Sequence, residues 1–313
     1  MKVHHDIHLF SAVNPAVTIG NFDGIHLAHK AIIERVKELA TEHNGESVLV
    51  TLWPHPRLVL QHAPHELRFL TLLEEKIELI RQSGIDHLVI LPFTREFAQV
   101  TYKEFITDYL LRQIKAQHIV VGFNHHFGKN REGTFGSLKK LADQMGFYAE
   151  QYPPLLVEGM QVSASEIRKL LMQGKVKKAN LLLGYLYLIT GKVTEGKRLG
   201  REMGFPTANV VVSNDNKLIP ADGVYAVNVV FENKQHQGMM NIGTKPTVNE
   251  LPDKKTIEVH LFEFDGNLYN KDITINFVDR IRDEKKFQSL EELRLQLVAD
   301  KEASLRIFQN LNE

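Results

Sequence analysis

The hydrophobic period of this chain changes once, near Gly184, and this change restricts its possible folds more than any other feature. Before Gly184, short apolar runs alternate with longer amphipathic segments. Strands that alternate with helices predict a parallel, doubly wound sheet. After Gly184 the apolar runs follow one another closely, which predicts a small antiparallel β-barrel. We therefore expect an α/β domain at 1–183 and a β domain at 184–313, since 313 residues suit two domains of about 150 each.

The two parts differ in their predicted elements. Strands are predicted in the first part at 17–19, 48–52, 87–91 and 118–121, and helices near 30–42, 74–82, 102–115 and 134–146. Strands are predicted in the second part at 187–194, 224–231, 237–242, 257–264 and 273–277. A terminal helix is predicted from Ser289 to about Leu311, with Ser289 as N-cap and Glu292 completing a capping box.

The composition excludes several classes of function. Basic and acidic residues number 38 each, whereas proteins that neutralise many nucleic-acid phosphates usually carry a basic excess. The chain has no cysteine, which excludes disulfides, Cys-ligated zinc and thiol catalysis. Its longest apolar stretch, 181–189, is far shorter than the roughly 18 residues of a membrane span, and no signal peptide is evident. We expect a soluble, cytoplasmic protein that binds neither nucleic acid nor membrane.

The first strand-to-helix turn, GNFDGIHLAH at 20–29, carries a phosphate-binding signal. Gly20 and Gly24 bracket a tight turn, and His26 and His29 are expected on the first turn of the next helix, facing one side. Backbone N–H groups at a helix start favour anions, and imidazole donors stabilise charge that develops on a phosphoryl group. A metal site would need a third ligand and typically a base between the histidines. Two surface histidines are the alternative interpretation.

Two further segments of the first part contain polar residues suited to a ligand. The loop GFNHHFGKNREG at 122–133 places Asn124 and two imidazoles, His125 and His126, after a predicted strand, where a doubly wound sheet presents ligand contacts, and a merely solvated loop is the alternative. The segment VSASEIRKLL at 162–171 places Ser163 and Ser165 before a predicted helix that carries Arg168. The serines are suited to simple capping, and with Arg168 they could instead form a phosphate clamp.

The second part contains a glycine-rich segment that only imitates a P-loop. Residues 191–198, GKVTEGKR, have the Walker spacing but place Arg198 where Ser or Thr would bind magnesium. The segment also leads into no predicted helix. Its glycines instead predict an arch whose backbone approaches phosphates closely. The glycines of this arch are Gly191, Gly196, Gly200 and Gly204.

Polar side chains on two predicted strands are candidates for metal binding and catalysis. Thr207 and Asn209 lie two residues apart, so both face one side of a strand, and their oxygen atoms suit Mg²⁺. Glu258 and His260 share one face of the strand at 257–264, and Glu258 is a candidate general base for a hydroxyl nucleophile. A solvated polar strand face is the alternative in both cases.

The motifs of the first part resemble the nucleotidyltransferase module of bacterial FAD synthetase, a Rossmann-like domain of the HxGH type. They are GNFDGIHLAH, TLWPHPRLVL at 51–60 (expected as a strand), GFNHHFG and VSASEIR, in family order and spacing. The chain has Ala28 in place of the HxGH glycine, and Ser163-Ala164-Ser165 in place of Ser-Ser-Thr. The resemblance implies that His26 and His29 bind the ATP phosphates and stabilise the transition state. It also implies a flavin contact at Asn124 and ATP or phosphate contacts at Gly20, Asn21, Phe22, Gly24, Ser163, Ser165 and Arg168.

The motifs of the second part resemble the flavokinase module that accompanies this domain. They are GKVTEGKRLGREMGFPTANV, ADGVYAV at 221–227, NIGTKPTV at 241–248, EVHLFEFDGNLYN at 258–270 and IRDEKKFQSLEEL at 281–293. The resemblance implies that Thr207 and Asn209 form the Mg²⁺–ATP site and that Glu258 deprotonates the ribityl 5′-hydroxyl. It further implies flavin or nucleotide contacts at Asn241 and Arg282.

Together the two resemblances imply a bifunctional enzyme of flavin cofactor biosynthesis. Riboflavin and ATP would give FMN, and FMN with a second ATP would give FAD and pyrophosphate, with Mg²⁺ as cofactor. One alternative is an enzyme in which only the kinase site is active, and another is a non-catalytic flavin-binding regulatory protein. The presence of His26, His29, Thr207, Asn209 and Glu258 favours the bifunctional enzyme, because a binding protein does not need all five.

Overall fold

The protein is described by a computed structural model that covers residues 1–60, 67–195, 204–244 and 255–311. It divides into two compact units, Met1–Ala164 and Ser165–Glu313. The predicted domain boundary lies further along the chain, at residue 183, and stays a prediction. Within the described residues, no helix has the length and apolar character needed to cross a membrane.

The first unit is built on a six-stranded parallel sheet. Its strands are β1 (Lys2–His4), β2 (Ala16–Ile19), β3 (Ser47–Trp53), β4 (His87–Pro92), β5 (His118–Gly122) and β6 (Tyr148–Tyr152). The order across the sheet is β1-β4-β3-β2-β5-β6, and all neighbours are parallel. The order of connection reverses between β2 and β5, so the loops after these two strands meet at one edge, where such sheets bind ligands. The predicted doubly wound sheet is confirmed.

Helical segments connect these strands and cover the sheet. They are α1 (Leu27–Glu42), α2 (Pro56–Leu60), α3 (Leu73–Gln82), α4 (Tyr102–Glu104), a π-helix (Phe105–Gln113), α5 (Phe135–Met145) and 3₁₀ turns at Ile7–Leu9, Phe97–Gln99 and Lys129–Arg131. Val48 and Val50 pack into a core with the π-helix and α5, while Leu49 packs into a second core with α1 and α3. The sheet is therefore buried on both faces, as parallel sheets are. A short antiparallel pair, β7 (Leu156–Val157) and β8 (Met160–Gln161), follows.

The second unit is a closed antiparallel barrel with helices. Its strands are β9 (Leu188–Thr194), β10 (Ala208–Val211), β11 (Gly223–Phe231), β12 (Lys234–Thr244), β13 (Lys255–Leu261) and β14 (Asp272–Arg282). They close in the order β10-β13-β12-β11-β14-β9. Its helices are α6 (Ala164–Met172), α7 (Val176–Leu183) and α8 (Leu290–Gln309). The barrel and the terminal helix, capped by Ser289, confirm the predicted second fold.

One interaction explains why α7 belongs to the barrel unit. The Asn180 side chain accepts a hydrogen bond from the Tyr187 backbone N–H at 2.7 Å and donates one to the Phe277 carbonyl oxygen at 2.9 Å. The same amide therefore ties α7 both to the segment before β9 and to β14. The sequence pattern does not reveal the second of these bonds, because Phe277 lies 97 residues beyond Asn180 in the chain.

Several predicted element bounds in the first unit are wrong. The segment 51–60 is not one strand: β3 ends at Trp53 and α2 begins at Pro56. Proline donates no backbone hydrogen bond, so the two prolines after Trp53 cannot continue a strand ladder. The predicted helix at 102–115 is one α-turn followed by the π-helix. The sequence analysis did not predict β1 or β6.

Three further corrections concern residues near candidate sites. His26 is the N-cap of α1 and not part of its first helical turn. Ser165 lies inside α6 and not before it. The predicted strand at 257–264 ends at Leu261, and Glu263 adopts a left-handed φ of 51°, which an extended strand does not allow.

Candidate active sites

A tight turn with left-handed backbone conformations joins β2 to α1. Phe22, Gly24 and Ile25 have φ values of 47°, 84° and 34°. A Cβ atom on Gly24 would lie 2.7 Å from Leu70 Cδ1, so this position requires glycine for space as well as for φ. Phe22 and Ile25 are buried, and their packing holds a conformation that residues other than glycine rarely adopt. The turn therefore presents a fixed backbone at the carboxyl edge of β2.

Asp23 anchors this turn from inside the protein. Its buried carboxylate accepts hydrogen bonds from the backbone N–H groups of Leu70 and Thr71, each at 3.0 Å, and from Thr71 Oγ1 at 3.3 Å. Thr71 Oγ1 in turn accepts a hydrogen bond from the Gly24 N–H at 3.0 Å. The sequence analysis missed Asp23, because an Asp-Gly pair alone indicates only a turn.

The two histidines of the turn form one stacked pair. His26 is buried, and its Nδ1 accepts a hydrogen bond from the His29 backbone N–H at 3.3 Å. The two imidazole rings stack with centroids 3.6 Å apart and an interplanar angle of 14°. The Phe22 ring lies 4.8 Å from the ring of His29. Both imidazoles thus lie together at the start of α1, where the backbone N–H groups and the helix dipole attract anions.

The surroundings of the pair are basic. Burial and the charges of His26, Lys76 and His125 hold the pKa of His29 well below its usual value, so the ring is neutral at neutral pH. Lys76 is itself buried, which lowers its pKa to about 8. Its Nζ donates a hydrogen bond to the Asn21 carbonyl oxygen at 2.6 Å. The sequence analysis missed Lys76, because α3 is distant from the turn in sequence and contacts it only in the folded protein.

The loop after β5 approaches the same edge of the sheet. Asn124 is exposed, and its carbonyl oxygen accepts a hydrogen bond from His126 Nδ1 at 3.1 Å. His125 lies close enough for its charge to affect His29. Because β2 and β5 are neighbouring parallel strands, the turn after β2 and the loop after β5 lie at the same edge of the sheet. The flavin contact of Asn124 stays a prediction.

The serine and arginine segment spans the point in the chain where the first unit ends. Ser163 is half-buried and closes the first unit, while Ser165 and Arg168 lie on α6, which continues into the second. Ser165 and Arg168 are three residues apart and therefore face one side of that helix. Their predicted role in phosphate binding stays a prediction.

In the barrel, three polar residues lie side by side on adjacent strands. Glu258 on β13 pairs in register with Asn209 on β10 and with Asn241 on β12. Side chains of directly paired residues share a face and have Cβ atoms about 4.5–5.5 Å apart. The intervening residues, such as Val259 and Met240, are buried on the other face, whereas these three are half-buried. The structure thus brings together a carboxylate and two amides that are widely separated in sequence.

The residue before β10 is positioned by a histidine. Thr207 is half-buried and lies one residue before β10, so it is not itself in the strand. His260, on the same face of β13 as Glu258, donates through Nδ1 to the Pro206 carbonyl oxygen at 2.8 Å. This bond fixes the chain next to Thr207. Burial lowers the pKa of His260, which keeps the ring neutral.

The glycines of the predicted arch have different positions. Gly191 lies inside β9, where a Cβ atom would be 2.6 Å from Val210 Cγ1, so close packing against β10 explains this glycine. Gly204 has a left-handed φ of 80° and open space around it. Gly196 and Gly200 lie outside the described residues. The predicted phosphate contacts of all four glycines stay predictions.

Arg282 has an internal partner. Its guanidinium donates to both carboxylate oxygens of Asp300 on α8, with Nε–Oδ1 and Nη2–Oδ2 distances of 2.9 and 2.8 Å. Asp300 is buried at 1% exposure, and Gln296 donates to it at 2.9 Å. This pair attaches the terminal helix to the end of β14. A flavin contact by Arg282 stays a prediction, and the sequence analysis did not identify Asp300.

Comparison with known proteins agrees with the two-site arrangement. Residues 11–166 match the FAD synthetase family and residues 183–308 match the riboflavin kinase family. The chain is 36% identical, over all of its length and 99% of the relative, to the bifunctional riboflavin kinase/FMN adenylyltransferase of Bacillus subtilis. It is 33% identical to the protein of the same name in Escherichia coli, with 98% of each chain covered.

A solved structure has the same fold over nearly the whole chain. It is the crystal structure of a macrolide-efflux protein from Streptococcus pneumoniae, 29% identical, with a TM-score of 0.88 and coverage of 97% of this chain and 98% of that one. The matches to both families and to full-length relatives agree on the identity of the two units. The chain belongs to the family of bifunctional riboflavin kinase/FMN adenylyltransferases.

Proposed function

We propose that this chain phosphorylates riboflavin to FMN and then converts FMN to FAD, each time with ATP. One observation carries the proposal: two different polar sites occur in two separate units. The first has stacked imidazoles at a helix start in basic surroundings. The second has a carboxylate in register between two amides. A single-activity enzyme or a binding protein has no need of both.

In the first unit the proposed reaction is adenylyl transfer. An FMN phosphate oxygen forms a bond to the α-phosphorus of ATP, and the bond from that phosphorus to the bridging oxygen breaks to release pyrophosphate. His26 and His29 bind the phosphate chain at the start of α1 and donate to oxygens on which negative charge increases. Asp23 and Lys76 keep the turn in place, through Thr71 and the Asn21 carbonyl oxygen respectively.

In the second unit the proposed reaction is phosphoryl transfer to a hydroxyl group. Glu258 accepts the proton of the riboflavin 5′-hydroxyl, whose oxygen bonds to the γ-phosphorus of ATP while ADP leaves. The paired Asn209 and Asn241 flank this carboxylate and offer amide groups to substrate oxygens. Positioning and electrostatics provide most of the catalysis in phosphoryl transfer.

Magnesium is part of the proposal for the kinase site. Thr207 and Asn209 offer a hydroxyl and an amide oxygen beside a carboxylate, a donor set that suits Mg²⁺ with phosphate oxygens and water as further ligands. When bound, the ion neutralises charge on the ATP phosphates. Within the described residues no group of three His, Cys, Asp or Glu side chains is arranged for a metal, so the ion would depend on ATP for ligands. A cytoplasmic location also belongs to the proposal, because both reactions consume ATP.

The proposal is tested by incubating the purified protein with riboflavin, ATP and Mg²⁺ and separating the flavins. We expect FMN first and FAD later. FMN without FAD would indicate that only the kinase site is active, and unchanged riboflavin would indicate a binding protein.

Two variants test the assignment of each reaction to its site. His26→Ala with His29→Ala should abolish FAD formation while FMN still accumulates. Glu258→Gln should lower FMN formation by about 10²–10⁴-fold, because an amide cannot accept the proton, while supplied FMN is still converted to FAD. Loss of FMN formation in the histidine variant, or loss of FAD formation from supplied FMN in the Glu258 variant, would contradict the two-site assignment.

A further inference from the structure

The loop after β5 contains a half-buried imidazole that the reaction, as proposed, does not use. His125 Nε2 is buried and has no hydrogen-bond partner within the described part of the chain. The same holds for His29 Nδ1. Leaving a buried polar atom without a partner is unfavourable, so such an atom points to a ligand that the protein is built to bind.

The position of His125 is fixed. Its ring stacks on Phe127 with centroids 5.7 Å apart and an angle of 20°. Its backbone N–H donates to the Gly122 carbonyl oxygen at 3.1 Å, which holds the loop against the end of β5. Because β5 pairs with β2, the loop after β5 lies at the same edge of the sheet as the start of α1. The His125 ring is therefore at the edge that also carries the His26–His29 pair.

The charged groups around His125 and His29 are basic. The charges of His126 and Arg131 lower the pKa of His125, and the charges of His26 and Lys76 lower the pKa of His29. The negative charge of Asp23 raises the pKa of Lys76. The carboxylate oxygens of Asp23 already accept hydrogen bonds from the backbone N–H groups of Leu70 and Thr71. Burial is the largest effect and lowers the pKa of His125 to about 4. An anion placed among these groups would reverse that effect by favouring the protonated ring.

We propose that His125 is a third imidazole of the adenylyl-transfer site, which binds the pyrophosphate group of ATP through Nε2 and takes up a proton as that group binds. The inference rests on the proposed function of the first unit. A bound pyrophosphate supplies the missing partner for Nε2 and a counter-charge for the basic groups. Release of pyrophosphate after the reaction returns the proton to solvent.

Calorimetric titration of the full-length protein with Mg²⁺-pyrophosphate tests this inference. Measurements near neutral pH in two buffers of different ionisation enthalpy give the number of protons taken up on binding. The ligand's own protonation change is common to all variants, so differences between variants belong to the protein. We expect His125→Phe, which keeps a ring on Phe127, to bind about tenfold more weakly and to take up fewer protons.

The matched control is His8→Phe, which replaces an exposed imidazole of the first unit outside this loop and should change neither quantity. The fluorescence of Trp53, the only tryptophan, reports whether the first unit is folded, and His125→Gln replaces the Phe variant if that one does not fold. Parental affinity and proton uptake in the His125 variants would overturn the inference. So would weaker binding without a change in proton uptake, or equal effects in the His8 variant. A parental protein that makes FAD but binds no pyrophosphate would overturn the inference alone, whereas one that makes FMN and no FAD would overturn the proposed adenylyl transfer.

Discussion

The residues that hold the first candidate site in place are less evident in the sequence than the residues that we propose act in the reaction. Lys76 donates to the Asn21 carbonyl oxygen, and burial lowers its pKa to about 8. We expect Lys76→Met to lower FAD formation by about 10- to 100-fold, the effect of one charge-assisted hydrogen bond, and to leave FMN formation unchanged. Separate assays with riboflavin and with FMN measure the two rates.

A pH profile shows whether the charge of Lys76 matters. Adenylyl transfer should decline as the pH rises through about 8, where Lys76 loses its proton. Lys76→Arg keeps the charge at all these pH values and should remove the decline. A decline that persists in the Arg variant, or a Met variant with the parental rate, would show that Lys76 does not position this turn.

The ion pair of Arg282 and Asp300 leads to a prediction about stability. Asp300 is buried and Arg282 is mostly buried, so removal of the acid leaves a guanidinium without its counter-charge. We expect Asp300→Ala to lower the free energy of unfolding by about 3 kcal/mol. Glu291→Ala on the same helix removes only an exposed pair with Arg294 and should change it by less than about 1 kcal/mol. Urea unfolding measures both, and similar values for the two variants would contradict the assignment.

The candidate site residues predicted from the sequence and the supporting residues that it missed differ in a physical way. His26, His29, Thr207 and Glu258 belong to short motifs whose spacing already places them on a turn or one strand face. Asp23, Lys76 and Asp300 act through contacts with segments distant in sequence. No local period encodes such contacts, because they exist only after the turn that follows β2 and the segment at 70–76, or β14 and α8, have come together.

At the scale of elements, periodicity predicts the buried strands well and the irregular segments poorly. The core strands β2 to β5 are continuous apolar runs, and the structure confirms them. The edge strand β1 carries two polar residues among three, and β6 is mostly half-buried, so neither has a clear apolar period. The π-helix has the apolar content of an α-helix, and its wider turn depends on tertiary packing.

Gly191 shows how one residue type permits two interpretations. The sequence pattern places it in a phosphate-binding arch, whereas the structure gives it a packing role between β9 and β10. We expect Gly191→Ala to lower the free energy of unfolding by about 1–3 kcal/mol, since the new methyl group would lie 2.6 Å from Val210 Cγ1.

The comparison for this substitution is Gly136→Ala in α5. There the nearest atom to a new Cβ is Thr134 Oγ1 at 3.7 Å, so the change should stabilise the helix by about 0.5–1 kcal/mol. Urea unfolding curves of both variants provide the measurement. A Gly191→Ala protein as stable as the parent would show that β9 and β10 can separate without loss, and would favour the arch interpretation.

Among the described residues, burial lowers the pKa values of several histidines, and most of these histidines lie in the first unit. His4, His29, His118 and His125 belong to the first unit and His260 to the second. Above about pH 6.5 these rings are neutral in both folded and unfolded chains, so they do not affect stability there. Below about pH 6.5 these histidines become protonated in the unfolded chain while they are still neutral in the folded protein. The free energy of unfolding therefore falls as the pH is lowered, until the pH reaches the pKa that each histidine has in the folded protein, which is near 4 for His125.

We therefore expect acidification from about pH 7 to 5 to destabilise the first unit more than the second. This range lies above the usual pKa values of carboxylates, so the lowered pKa values of Glu46, Glu104 and Glu232 contribute little within it. Trp53, the only tryptophan, reports unfolding of the first unit, and kinase activity after urea exposure reports the second. His125→Phe should make the first transition less sensitive to pH, because one group that must stay neutral on folding is gone. Equal shifts of both transitions, or a first transition that does not move above pH 5, would show that these histidines are not buried in solution as they are in the structure.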